Sequence, residues 1–261
     1  MPPAQTDHTA STQFFNSDGV RIAYIDEGTG DPVLLIHGFA SSIKYNWTDP
    51  AWVRHLTRAG FRVIAIDNRG HGDSEKLYDT KQYAYPNMSE DARRLLDHLG
   101  LERADVMGYS MGARNTAFLC LDHPGRVRSA IFGGLGINMV RGLAGTGPIA
   151  AALEARSIDD VSNPAAKTFR AFAEQTGGDL KALAACMRSA RATLTADMIA
   201  NIQCPVLVAV GTDDVIGGSA SELAALIPGA QALDIQRRDH MRAVGDRVYK
   251  DGVVRFLRSR P

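Results

Sequence analysis

The stretch Ala104-Asp105-Val106-Met107-Gly108-Tyr109-Ser110-Met111-Gly112-Ala113 passes from an apolar run into a helix-like one, with a serine at the junction. Ala104–Gly108 reads as a strand and Met111–His123 as a helix, so Ser110 falls on the turn between them. Composition alone expects about 0.13 chance matches of Gly-x-Ser-x-Gly, so the setting has to carry more of the weight than the bare pattern. Glycines two places before and two after the serine suit a turn so sharp that side chains there would collide. Such a turn lifts the serine Oγ clear of the sheet, and the helix after it aims free N–H groups at the place where negative charge would develop.

Outward from this turn the chain alternates strand and helix. Arg21–Asp26 reads as a half-buried strand and Pro32–Ile36 as a strand buried on both faces. Then follow Trp47–Ala59 as helix, Arg62–Ile66 as strand, Met88–Leu99 as helix, and Val127–Phe132 as the strand after Met111–His123. A closing set comprises strand Val206–Val210, helix Ser219–Leu226, strand Ala230–Ile235 and helix Arg247–Leu257. This rhythm predicts helices packed on a mostly parallel sheet. Between Gly133 and Pro205 lie about 70 residues without a strand signal, too many for a plain loop. Ala-rich windows at Ile149–Ala155, Ala165–Gln175, Leu180–Ala190 and Ala196–Ile202 predict a helical insertion there.

A serine hydroxyl is a weak nucleophile at neutral pH and needs a base and a group that orients the base. The apolar strand Val206–Val210 runs into Gly211-Thr212-Asp213-Asp214, which places an acid at the carboxyl end of a strand, where sites of open α/β sheets gather. After Ala230–Ile235 comes Arg237-Arg238-Asp239-His240, which puts a histidine in a loop. Of the other histidines, His8 is in the polar start, His55, His98 and His123 are on or at the ends of helical segments, and His37 and His71 sit in turns. Serine, acid and histidine therefore occur in the order Ser110, Asp213 or Asp214, His240.

Two further motifs, His37-Gly38-Phe39 and Asp67-Asn68-Arg69-Gly70-His71-Gly72-Asp73-Ser74, complete the pattern. With all three, the sequence resembles the α/β-hydrolase fold family over Phe14–Leu257. The resemblance implies an eight-stranded, mostly parallel sheet with helices on both faces and an inserted helical lid. It implies Ser110 as nucleophile, His240 as general base, Asp214 rather than Asp213 as the acid, and the backbone N–H groups of Phe39 and Met111 as the oxyanion hole. Residues 1–13 are expected as a flexible tail, 14–134 and 203–261 as the core, and 135–202 as the lid.

With 29 basic and 29 acidic residues, the chain lacks the excess of Lys and Arg that a nucleic-acid binder gathers on one face. Its longest uncharged apolar stretches, Ser129–Val140 and Gly142–Leu153, fall short of the roughly 18 residues needed to cross a bilayer. The polar start lacks the basic and apolar regions of a signal peptide, so a cytoplasmic location is expected. Cys120, Cys186 and Cys204 are read as too widely spaced for a disulfide framework or zinc site, and as small buried residues. No metal and no organic cofactor are expected, and nothing in the sequence sets the oligomeric state.

The resemblance further implies a carboxylesterase acting on esters with small or medium acyl chains. Epoxide hydrolases and haloalkane dehalogenases of this fold use aspartate where this chain has Ser110. Carbon–carbon bond hydrolases commonly follow their histidine with Trp, where Met241 stands here, and cofactor-free perhydrolases commonly have proline where Phe39-Ala40-Ser41 runs. These two, and a ligand-binding receptor without turnover, are the alternatives.

Overall fold

The computed structural model describes residues 11–142, 146–189 and 192–260. Its frame is set by short apolar runs that pair along their whole lengths. Pro32–Ile36 (β3) lies between Arg62–Ile66 (β4) and Ala104–Tyr109 (β5), parallel to both, with Leu34 beside Ile64 and Val106. Val127–Gly133 (β6), Val206–Gly211 (β7) and Gln231–Ile235 (β8) continue the parallel run beyond β5. On the other side Val20–Glu27 (β2) joins β4 antiparallel and Gln13–Ser17 (β1) joins β2. The described residues form one eight-stranded sheet in the order β1-β2-β4-β3-β5-β6-β7-β8.

Period-two alternation along the central strands divides the core. Leu34, Ile36, Ile64, Ile66 and Val106 face Asn87–His98 (α2), Met111–Asp122 (α3) and Ala220–Ala224 (α9). Val33, Leu35, Val63, Met107 and Leu207 face Trp52–Arg58 (α1) and Arg247–Ser259 (α11). From β6 to β7 the chain makes a helical excursion through Asn138–Arg141 (α4), Thr146–Glu154 (α5), Pro164–Gln175 (α6), Leu180–Arg188 (α7) and Ala196–Ile199 (α8). A four-residue helix, His240–Ala243 (α10), follows β8. No helix among the described residues is long and apolar enough to cross a membrane.

Three local expectations change. The expected tail overlaps β1: residues 1–10 lie outside the described ones, but Gln13 already pairs with Tyr24. The signal was Asp18-Gly19, both with positive φ (54° and 87°), the pairing that closes a tight β-hairpin. Helix Trp47–Ala59 is instead a π-helical turn, Lys44–Thr48, and a separate α1, because Pro50 has no N–H to continue the ladder and Ala51 takes φ 63°. Finally, Cys204, read as buried, is only half-buried, and folding brings its sulfur to 3.9 Å from that of Cys120, both as free thiols.

The turns after β3 and β4 are braced by buried polar groups. Asp67 accepts the N–H of Ile43 at 2.7 Å and of Asp73 at 2.8 Å. His37 Nε2 accepts the Asn68 N–H at 3.0 Å, which leaves Nδ1–H to donate to Gly38 O at 2.7 Å. Arg69 binds Asp91 of α2 through two parallel bonds of 2.7 and 2.8 Å, and Ser17 of β1 donates to the same carboxylate. This one buried pair ties the Asp67–Ser74 turn to α2 and the sheet edge.

Removing one member of a buried pair strands the other charge and costs about 3–5 kcal/mol. Arg69→Met is accordingly expected to lower urea-unfolding stability by that order, and Arg69→Met with Asp91→Leu to regain much of it; a double-variant loss equal to the sum of the two single losses would show the pair is not coupled. Acid sensitivity follows from the buried histidines. Burial, with His71 nearby, pushes the His37 pKa down to about 3, and burial pushes His71 down to about 4. The unfolded chain takes up these protons near 6.5, so their contribution is complete above 6.5 and is lost as pH falls toward 4. Burial raises Asp67 to about 6, which acts oppositely between 3.8 and 6 but over a narrower window. Urea midpoints should therefore fall from pH 6.5 to 4.5, and a rise over that interval would contradict the assignment.

Candidate active site

The turn at Ser110 is held in a conformation that side chains resist. Ser110 has φ 55° and ψ −114°, and its N–H reaches across to Gly133 O at 2.8 Å. A Cβ on Gly112 would lie 1.9 Å from Ile36 O, and one on Gly108 would lie 2.1 Å from Gly112 O. The first turn of α3 is thus pressed against β3 and β5 so closely that only glycine fits at both places, while Ser110 itself is left partly exposed. A Cβ on Gly38 would lie 3.3 Å from Ser110 Cβ, so the loop after β3 runs beside the serine. Among the described residues, neither the Phe39 nor the Met111 N–H has an acceptor. Both candidate oxyanion donors accordingly stand next to the candidate nucleophile.

Fold closure brings the distant candidates to this point. His240 Nε2 lies 3.0 Å from Ser110 Oγ, and His240 Nδ1 lies 2.7 Å from Asp214 Oδ2. Asp214 is buried after β7, and its Oδ1 accepts the N–H groups of Ile216 at 2.9 Å and Gly217 at 2.7 Å. One carboxylate oxygen is occupied and the other is left for the imidazole, which fixes Nδ1 as the protonated nitrogen and Nε2 as the acceptor facing Ser110. Asp213 is exposed and bonds Thr212 instead. Asp239 caps α10 by accepting the Met241 and Arg242 N–H groups, which orients the turn on which His240 begins. Four strand ends, those of β3, β5, β7 and β8, supply the site. Among the described residues no group of three His, Cys, Asp or Glu is placed to hold a metal ion.

Two contributors were not singled out in the sequence. Tyr109, the variable residue before the serine, is buried, donates its hydroxyl to His240 O at 2.6 Å, and packs its ring 5.4 Å from the imidazole. Burial pushes its phenol well above the ordinary range, so it serves as a donor. Its signal was a tyrosine in a position boxed in by glycines, Gly133 and Gly134 being pressed against its ring. Asn46, on the turn Lys44–Thr48, accepts the Gly38 N–H at 3.0 Å. An asparagine between Tyr45 and Trp47, just ahead of a segment read as helix, was the only mark it left.

Above the serine the surface is apolar. Phe39 and Met111 join a cluster with Ile149 and Leu153 of α5, Ala166 of α6 and Met187 of α7. The Phe39 ring stands 6.2 Å from Phe169 and 5.7 Å edge-on to His71. The excursion between β6 and β7 therefore lies over the loop that carries Phe39, one of the candidate oxyanion donors.

Comparison with known proteins matches residues 31–144 to the model of the alpha/beta hydrolase fold. Epoxide hydrolase 3 of Siraitia grosvenorii is 32% identical over 116 residues, 44% of this chain and 36% of that protein, so the match spans little more than a third of that relative. A hydrolase from Pseudomonas aeruginosa PA01 has 26% identity and a TM-score of 0.71, covering 95% of this chain and 99% of its own. The esterase RhEst1 from Rhodococcus sp. ECU1013 shares the fold with a TM-score of 0.78 at 24% identity, covering 96% and 100%. Sheet order, the strained serine turn and these matches agree: the chain has the α/β-hydrolase fold, and residues 31–144 match the model of that fold.

Proposed function

We propose that the protein is a serine hydrolase that cleaves carboxylic esters of small to medium acyl chains through an acyl-enzyme. The observation that carries this reading is the continuous line from Asp214 Oδ2 to His240 Nδ1, 2.7 Å, and from His240 Nε2 to Ser110 Oγ, 3.0 Å. His240, kept in its tautomer by Asp214, takes the Ser110 proton as Oγ attacks the ester carbonyl. The carbonyl oxygen becomes an oxyanion opposite the Phe39 and Met111 N–H groups, which need not reorganise to meet it. His240 then returns the proton to the departing alcohol, and water repeats the cycle to release the acid. The substrate's acyl chain is assigned to the apolar surface of Phe39, Met111 and the α5–α7 helices, which suits a neutral ester over a charged one.

A serine at position 110 favours this chemistry over epoxide opening, despite the match to an epoxide hydrolase. The test is a panel of p-nitrophenyl esters of increasing acyl length. The wild type should hydrolyse the shorter members and Ser110→Ala none. A wild type inert on the whole panel but active on a ring-cleavage dienone, or in peracid formation from acetate and peroxide, would replace the ester reading. One inert in all three assays would point to a binding protein.

Asp214→Asn should lower kcat by about 10⁴-fold, since the amide would hold the wrong tautomer, while Asp213→Asn should leave it within a few fold. Equal losses would reject the acid assignment. Tyr109→Phe should cost about 1 kcal/mol in urea unfolding and lower kcat with little change in KM, because His240 loses the bond that anchors its backbone. Unchanged turnover would show that the loop is held by Asp239 and Asp214 alone.

A further inference from the structure

Asn46 carries a polar group that the line from Ser110 to Asp214 does not use. The residue is 5% exposed, and its Oδ1 accepts the Gly38 N–H at 3.0 Å. That bond identifies the two ends of the amide, because a backbone N–H can be met only by the oxygen. The other end, Nδ2, is buried without a partner among the described residues. A Cβ on Gly38 would lie 3.3 Å from Ser110 Cβ and 3.7 Å from Asn46 Oδ1, so nucleophile and amide flank one point on the loop.

An orphaned buried donor costs stability, and an apolar side chain would remove it only by leaving the Gly38 N–H unmet instead. An amide alone offers an acceptor to Gly38 and a donor beyond it. The turn that carries it is π-helical, a distortion often found at functional sites. We propose that Asn46 Nδ2 is a third donor to the oxyanion formed when Ser110 attacks, beside the N–H groups of Phe39 and Met111. The unmet hydrogen bond of the resting protein is then made in the transition state, where it accelerates the reaction. This assignment rests on the reading of Ser110 as nucleophile. The rival occupant is a buried water.

A p-nitrophenyl alkylphosphonate separates the two. Ser110 Oγ bonds to phosphorus, p-nitrophenolate leaves, His240 takes the serine proton, and a phosphoryl oxygen is left where the oxyanion forms. In a crystal structure of this adduct, Nδ2 is expected about 2.7–3.2 Å from that oxygen. Nδ2 bonded to water or to another protein atom overturns the proposal. Asn46→Ala should lower kcat about 10²-fold at unchanged KM. Asn46→Asp keeps an acceptor for Gly38 and loses the donor at neutral pH. Its rate relative to wild type should rise as pH is lowered and the carboxyl regains a proton, and a flat ratio overturns the proposal. If the phosphonate does not label Ser110 at all, the nucleophile assignment fails and takes this one with it.

Discussion

Everything at this site depends on how closely the first turn of α3 approaches the strands beneath it. With Gly112 against Ile36 O and Gly108 against Gly112 O, no Cβ separates helix from sheet. That contact forces Ser110 to φ 55°, a conformation costing on the order of 1–3 kcal/mol for a residue with a side chain. The strain is sustained because strands on both sides of β5 are paired to it and buried next to the turn, leaving the turn no room to relax. In return the hydroxyl is lifted off the sheet and α3 begins with unshared N–H groups beside it.

A buried polar scaffold carries this strain outward. His37, Asp67 and the Arg69–Asp91 pair each satisfy backbone or charged groups that burial would otherwise leave unmet. They fix the loops after β3 and β4, the first of which brings Gly38 and Phe39 to the serine. Their role is geometric: burial holds both His37 and His71 neutral. Tyr109 does the corresponding work on the other side, joining the serine turn to the backbone of His240.

The helices between β6 and β7 contribute apolar surface rather than charge. Their inward residues merge with Phe39 and Met111 in one cluster, so the loop after β3 is also a wall of the apolar region. A water-poor surrounding strengthens hydrogen bonds to a developing charge, and it also penalises any donor left without a partner. Both effects bear on Asn46, whose unmet N–H is costly at rest.

Much of this was legible in the sequence because it depends on local rules. The glycines around Ser110, the apolar runs of β3 to β7 and the serine–acid–histidine order each follow from sterics or periodicity within a few residues. Misreadings came where one residue overrode a pattern: Pro50 split a helix, and the Asp18-Gly19 hairpin pulled Gln13–Ser17 into the sheet. The sequence by itself determined the fold class, the strained turn and the residue types of the site. Only the tertiary structure set Asp214 against His240 and left Asp213 exposed, brought Cys120 beside Cys204, and set Tyr109 and Asn46 against His240 and Gly38. Those contacts join residues up to 131 positions apart, and such pairs are chosen by how the sheet closes and what it buries, which no local spacing encodes.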